Sequence, residues 1–213
     1  LLLKGPTPRE LIMTDFWPDE GGEAARNRLN QIIYRIRSVL GNEAVVYDEP
    51  TSCYSLNPQL NIWCDVHEFD KYYQRAQHET PIAPSAAQWL DSAQKLYQGP
   101  LARGIGSHWI SALRRDYEKK YTDVLRSRAS AAHLYNDVQT ALDCHLALRD
   151  VDPYDEEVCR RIMELYEIRR QPHRVTETYN RLVQLLAEEL GTQPMPETTQ
   201  TYEDIMRRLS GQA

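Results

Sequence analysis

The chain has 213 residues, with 25 Lys and Arg against 31 Asp and Glu, a net charge of −6 and 41% hydrophobic residues. A chain of this size buries roughly 70% of its unfolded surface, so one or two globular domains with real cores are expected and no disulfide framework is required. No apolar run approaches the ~20 residues that span a bilayer and no signal-like core opens the chain, which sets membrane roles aside and makes a cytoplasmic setting the expectation.

The opening Leu1-Leu2-Leu3-Lys4-Gly5 carries no initiator Met and reads as the end of a buried element, so a chain that begins inside a domain is expected. Thr7-Pro8-Arg9-Glu10 has the spacing of a capping box, with Thr7 as N-cap, Pro8 at the first helical position and Glu10 three residues after the cap. The helix that follows carries Leu11, Ile12 and Phe16 and stops in Trp17-Pro18-Asp19-Glu20-Gly21-Gly22. A longer helix is expected from about Glu23 to Leu40. Its apolar positions Ala25, Leu29, Ile32, Ile33, Ile36 and Leu40 recur at three and four, and Gly41 stands where a helix C′ residue belongs. Two β-rich runs, Ala44–Tyr47 and Cys53–Leu56, flank the turn-rich Asp48-Glu49-Pro50-Thr51-Ser52 and read as a hairpin.

Helix, tight turn, longer helix, hairpin is the order of a winged helix-turn-helix. Between Ala24 and Leu40 stand Arg26, Arg28, Arg35 and Arg37 with no acid, so a segment of charge +4 sits inside a chain of charge −6. With the apolar face centred on Ile36 and Leu29, the opposite face presents Asn27, Gln31, Tyr34 and Ser38, flanked by Asn30, Arg35 and Arg37. Amides can bond adenine edges bidentately and Arg can bond guanine or phosphate, which makes this face a candidate for reading DNA. A solvated helix face whose Arg stems cover the core would carry the same residues. The capped helix before it and the hairpin after it favour the DNA reading.

From Asp65 onward helix follows helix, at about 65–78, 84–98, 108–134, 137–150, 154–169, 172–190 and 196–209. The breaks fall at Pro81 and Pro84, Gly99-Pro100, Asn136, Asp152-Pro153, Pro172 and Gly191 to Pro196. At an offset of 34 residues Asp137 matches Gln171, Ala141 matches Val175, His145 matches Tyr179 and Leu148 matches Leu182, the tetratricopeptide period. About two such repeats are legible. A shallow groove built this way binds peptides or proteins, and a helical core without a partner groove is the competing reading.

Catalysis and metal binding are not expected. His67, His78, His108, His133, His145 and His173 are scattered without ligand spacing, and no phosphate loop or nucleophile elbow occurs. Cys53, Cys64, Cys144 and Cys159 include no CxxC pair and suit a reducing compartment. The acids Asp152, Asp155, Glu156 and Glu157 fit a helix N-terminus, where they complement the dipole. No cofactor is implied.

Residues 10 to 40, from Glu10-Leu11-Ile12 through Phe16-Trp17-Pro18-Asp19 and Ala24–Leu29 to Arg35–Gly41, resemble the OmpR/PhoB-type winged helix of SARP-type activators. Residues about 62 to 209 resemble the bacterial transcriptional activator domain that follows it in that family. The second likeness rests on Asp65-Val66 with Phe69, Leu96–Leu101, Trp109, Asp152–Glu157, Met163 with Tyr166, and Glu189–Pro194. The resemblance implies a mainly α protein, with a winged helix-turn-helix over residues 1–60, its start missing, and a tetratricopeptide-like domain over 61–213. It further implies a transcription regulator whose recognition helix, 23–40, enters the major groove of double-stranded DNA through Asn27, Asn30, Gln31, Tyr34, Arg35 and Arg37. The helical domain would serve dimerisation or contact with RNA polymerase. At the wing the family's Gly-Tyr-Arg is replaced by Cys53-Tyr54-Ser55 behind the acidic Asp48-Glu49. That leaves a second reading, a protein-interaction scaffold or signal-receiving module whose winged helix no longer binds DNA.

Overall fold

A computed structural model of the chain describes residues 1–79 and 83–211; the expected break at Pro81 lies outside them. The chain divides into two compact units, one of Leu1–His67 with Gly99–Asp116, the other of Glu68–Gln98 with the described residues from Tyr117 onward.

The first unit is built on a small sheet and two helices. Strand β1, Thr7–Pro8, leads into helix α1, Arg9–Phe16; helix α2 spans Gly22–Leu40, and strands β2, Val45–Asp48, and β3, Cys53–Leu56, complete it. All pairing is antiparallel in the order β1-β3-β2, with Thr7 opposite Tyr54 and Val45 opposite Leu56. The expected hairpin is therefore present, closed by a turn in which Asp48 accepts from the Thr51 backbone N–H and hydroxyl. Leu29 and Ile33 of α2 pack on Val45 and Tyr54, with Ile12, Met13 and Trp17 around them. Gly41 ends α2 at φ +102°, its N–H donating to the Arg37 carbonyl at 2.9 Å.

Two expectations fail here. No capping box forms: Thr7 is buried in the sheet, its hydroxyl donates to the Gly5 carbonyl at 2.9 Å, and α1 begins after Pro8 without a side-chain cap. Pairing with Tyr54, far along the chain, claims the residue that local spacing assigns to the helix. Glu10 turns outward, and its own backbone N–H together with the Arg9 guanidinium holds its carboxyl below the usual range. The apolar face of α2 is also not buried as one stripe. Ala25, Leu29 and Ile33 are, whereas Ile32 and Leu40 stay exposed along an apolar cleft of about 680 Å³ shared with Leu1, Phe16 and Trp109.

Among its described residues the second unit is built of helices and the turns between them. It takes most of α3 (Asp65–Gln77) and α5 (His108–Leu134), with α4 (Pro84–Leu96), α6 (Val138–Val151), α7 (Glu156–Ile168), α8 (Pro172–Leu185) and α9 (Pro196–Ser210); α8 runs into a π-helical turn, Leu186–Leu190. Short connections fold successive helices back on one another, and three cores result. Phe69, Leu90 and Val124 centre the first, Leu125, Leu142, Leu148 and Ile162 the second, and Met163, Val175, Leu182 and Ile205 the third. Each such fully buried Leu or Ile contributes about 1.5–3 kcal/mol.

The 34-residue offset is visible atom by atom. Asn136 and Arg170 both adopt φ +53°. The N–H of Asp137 donates to the Ala132 carbonyl at 2.8 Å and that of Asn136 to His133 at 3.2 Å; one offset later Gln171 donates to Tyr166 at 3.0 Å and Arg170 to Glu167 at 2.8 Å. These are two Schellman stops, each followed by the N-cap of the next helix, Asp137 for α6 and Gln171 for α8. Ala141 and Val175, like Leu148 and Leu182, are buried in matching places. Asp155 caps α7 by accepting from the Val158 N–H at 3.1 Å, with Glu156 and Glu157 in its first turn, as their positions suggest. Among the described residues no helix is long and apolar enough to cross a membrane.

Candidate nucleic-acid interface

The polar face of α2 follows from its burial pattern. With Ala25, Leu29 and Ile33 turned into the core, 100° per residue carries Asn27, Gln31 and Tyr34 to the opposite side, with Asn30 and Arg35 at its edges. All five are exposed, Tyr34 at 73%. Ser38 shares the face, but its hydroxyl is turned back to the Arg35 carbonyl at 2.8 Å. The face thus presents amide, phenol and guanidinium groups along roughly two turns.

The four arginines of α2 separate by environment. Arg28 pairs with Glu20 of the preceding turn at 2.9 Å. Arg37, grouped with the DNA face by spacing and by the family resemblance, is half-buried and donates through Nε and Nη2 to the Val45 carbonyl, at 3.2 and 2.7 Å. It fastens α2 to β2. Arg26 lies close enough to Glu10 to favour its ionised form. Arg35 has no ion-pair partner among the described residues and leaves its full charge at the surface. So the structure brings Asn27, Asn30, Gln31, Tyr34 and Arg35 onto one exposed face and turns Arg37 away from it.

Arg9, which no local pattern singles out, lies at the start of α1 with its guanidinium 5.9 Å from the Tyr47 ring on the hairpin. Only the long-range fold assigns it that place. The hairpin turn adds exposed Asp48 and Glu49, so the unit is cationic on α2 and anionic at the hairpin tip.

Residues 64–206 match the family described as bacterial transcriptional activator domain. Over 125 residues the chain is 27% identical to transcriptional regulatory protein MoaR1 of Mycobacterium tuberculosis, an alignment that takes in 58% of this chain and 40% of that protein. In fold it is similar to Mycobacterium tuberculosis EmbR, solved in complex with a low affinity phosphopeptide, with a TM-score of 0.68 and 19% identity over 96% of this chain and 56% of that one. The chain therefore spans well under two thirds of the length of either relative.

Proposed function

The chain belongs to the bacterial transcriptional activator domain family, and we propose that it is a sequence-specific, DNA-binding transcription regulator. In this reading residues 1–60 are a winged helix-turn-helix of the OmpR/PhoB type, with α2 as recognition helix. Residues 61–213 form the tetratricopeptide-like activator domain, which serves dimerisation or contact with RNA polymerase. The observation that carries the proposal is the exposed face of Asn27, Asn30, Gln31, Tyr34 and Arg35 on a 19-residue helix set between a tight turn and a hairpin. A helix of that length spans the major groove, the amides suit base edges, and Arg35 suits guanine or phosphate. Arg37 serves as the strut that holds the helix against β2.

Selection from a random duplex library by the whole chain tests this. A defined operator is expected to emerge; Gln31→Ala should cost about 1–3 kcal/mol on that operator and little on random DNA, because it removes a base contact. Arg35→Ala should weaken both and lower the salt slope by about 0.9. Failure to select any sequence at low salt, or variants that bind like the parent, would remove the proposal.

A second reading is favoured by the acidic hairpin tip, where Asp48 and Glu49 would repel phosphates. In it the first unit is a scaffold for protein contact. Weak DNA binding that strengthens when both acids are replaced by Asn and Gln would keep the DNA reading and explain the tip.

A further inference from the structure

The exposed face of α2 sorts its polar groups by position. Asn27, Gln31 and Tyr34 run down its middle with Asn30 beside them, all exposed, and the three amides make no hydrogen bond among the described residues. The guanidinium groups stand at the margins or are engaged. Arg35 and Arg26 lie about 80° and about 100° round the helix from Asn27, on opposite sides. Arg28 is held by Glu20 at 2.9 Å and Arg37 by the Val45 carbonyl at 2.7 Å. The one acid of α2, Glu23, is exposed in its first turn, about one turn before Asn27.

In a major groove the middle of a docked helix faces base edges and its margins face the phosphates on either side. The bases then make different demands. A carboxamide offers one donor and one acceptor side by side, and adenine answers both, through N7 and the N6 amino group. Guanine presents two acceptors, N7 and O6, so the amide oxygen meets an acceptor. Its matching partner is a guanidinium, and none stands in the middle of this face. Cytosine and thymine each answer half of the amide and leave the other half desolvated without a bond. Glu23 only accepts, so it also disfavours the guanine edge. Tyr34, 73% exposed, offers a ring suited to the thymine methyl group. Asn27 and Gln31 lie about 6 Å apart along the helix axis, close to two base steps of about 3.4 Å.

We infer that α2 reads an operator with a core of A·T pairs, in which adenines about two steps apart meet Asn27 and Gln31 while Arg35 and Arg26 hold phosphates on either side. The inference rests on the DNA reading proposed above and deepens it by naming the class of operator. The arginines set affinity and the amides set sequence.

The test takes the operator selected by the whole chain and measures its variants by fluorescence anisotropy at fixed salt. A core holding at least two A·T pairs is expected, and exchanging either contacted A·T pair for G·C should weaken binding by about tenfold or more. Replacing the contacted adenines with 7-deazaadenine, which removes the N7 acceptor, should also weaken binding several-fold. Selection repeated with Gln31→Arg should change one core position from adenine to guanine and leave the others as they were, with the circular dichroism of the parent. The 7-deazaadenine measurement uses the parent protein, so it stands whatever the variant does. A core of G·C pairs, full affinity for the 7-deazaadenine operator, or a folded Gln31→Arg protein that selects the parent's sequence would each overturn the inference while leaving DNA binding in place. Selection of no sequence at all would remove the DNA reading and the inference together.

Discussion

Cys144 and Cys159 show how far burial alone sets chemistry. Both thiols lie within helical cores, and loss of hydration of the thiolate pushes Cys144 up to about 11 and Cys159 up to about 12. At neutral pH neither supplies a useful fraction of thiolate, so both are packing residues rather than nucleophiles. Cys53, on β3, is only half-buried. With iodoacetamide at neutral pH, native protein is expected to be modified at Cys53 first, whereas Cys144 and Cys159 react only with the rate of unfolding; mass spectrometry of tryptic peptides reads the order. Early labelling of Cys144 in folded protein would contradict its burial. At this scale the sequence speaks to residue type and rarely to partner. Spacing puts Arg35 and Arg37 on the edges of one face, yet a carbonyl eight residues past Arg37 captures it and leaves Arg35 in solvent.

Among the elements, the helices were legible because proline, glycine and apolar period all act locally, and α3 to α9 fall within a few residues of where those signals put them. The π-helical turn Leu186–Leu190 inside the expected 172–190 helix was not, since nothing local marks it before Gly191, at φ +64°. The two-residue strand β1 was not legible either: its stability comes from pairing with β3, a contact no window of sequence contains. The 34-residue period was readable, and the structure supplies its reason in the repeated left-handed stop. At the first stop Asn136 tolerates that conformation; at the second Arg170 carries a Cβ into it at a cost of about 1–2 kcal/mol. Arg170→Gly is therefore expected to stabilise the protein by roughly 0.5–1 kcal/mol once the added freedom of the unfolded glycine is offset, and to raise the thermal midpoint. Asn136→Ala should do the reverse by a comparable amount. A lowered midpoint in Arg170→Gly would mean that the side chain contributes more than the backbone strain costs.

Across the whole molecule, charge is better treated as a map than as a sum. The net −6 does not exclude nucleic acid, because the four arginines of α2 stand in a stretch without acids, and two of them are engaged by Glu20 and Val45. That bounds the electrostatics of any DNA complex. At about 0.9 per neutralised phosphate, the log–log salt slope is expected between about −2 and −4 per bound chain, shallow for a DNA-binding protein. Titration of a selected operator between about 50 and 200 mM salt measures it, and a slope steeper than about −5 would move the phosphate contacts off α2.

The paired stops at Asn136 and Arg170 also bear on how such a chain can change length. Each closes one helix and hands directly to the first residue of the next, so residues 137–170 begin at a cap and end at a stop. A second copy of that stretch spliced in after Arg170 would meet a stop behind it and supply one ahead. In an array whose units contact chiefly their neighbours, such a duplication adds a module without reshaping the flanking turns. The seam between Arg170 and Gln171 is a ready point for recombination, in the laboratory or in evolution.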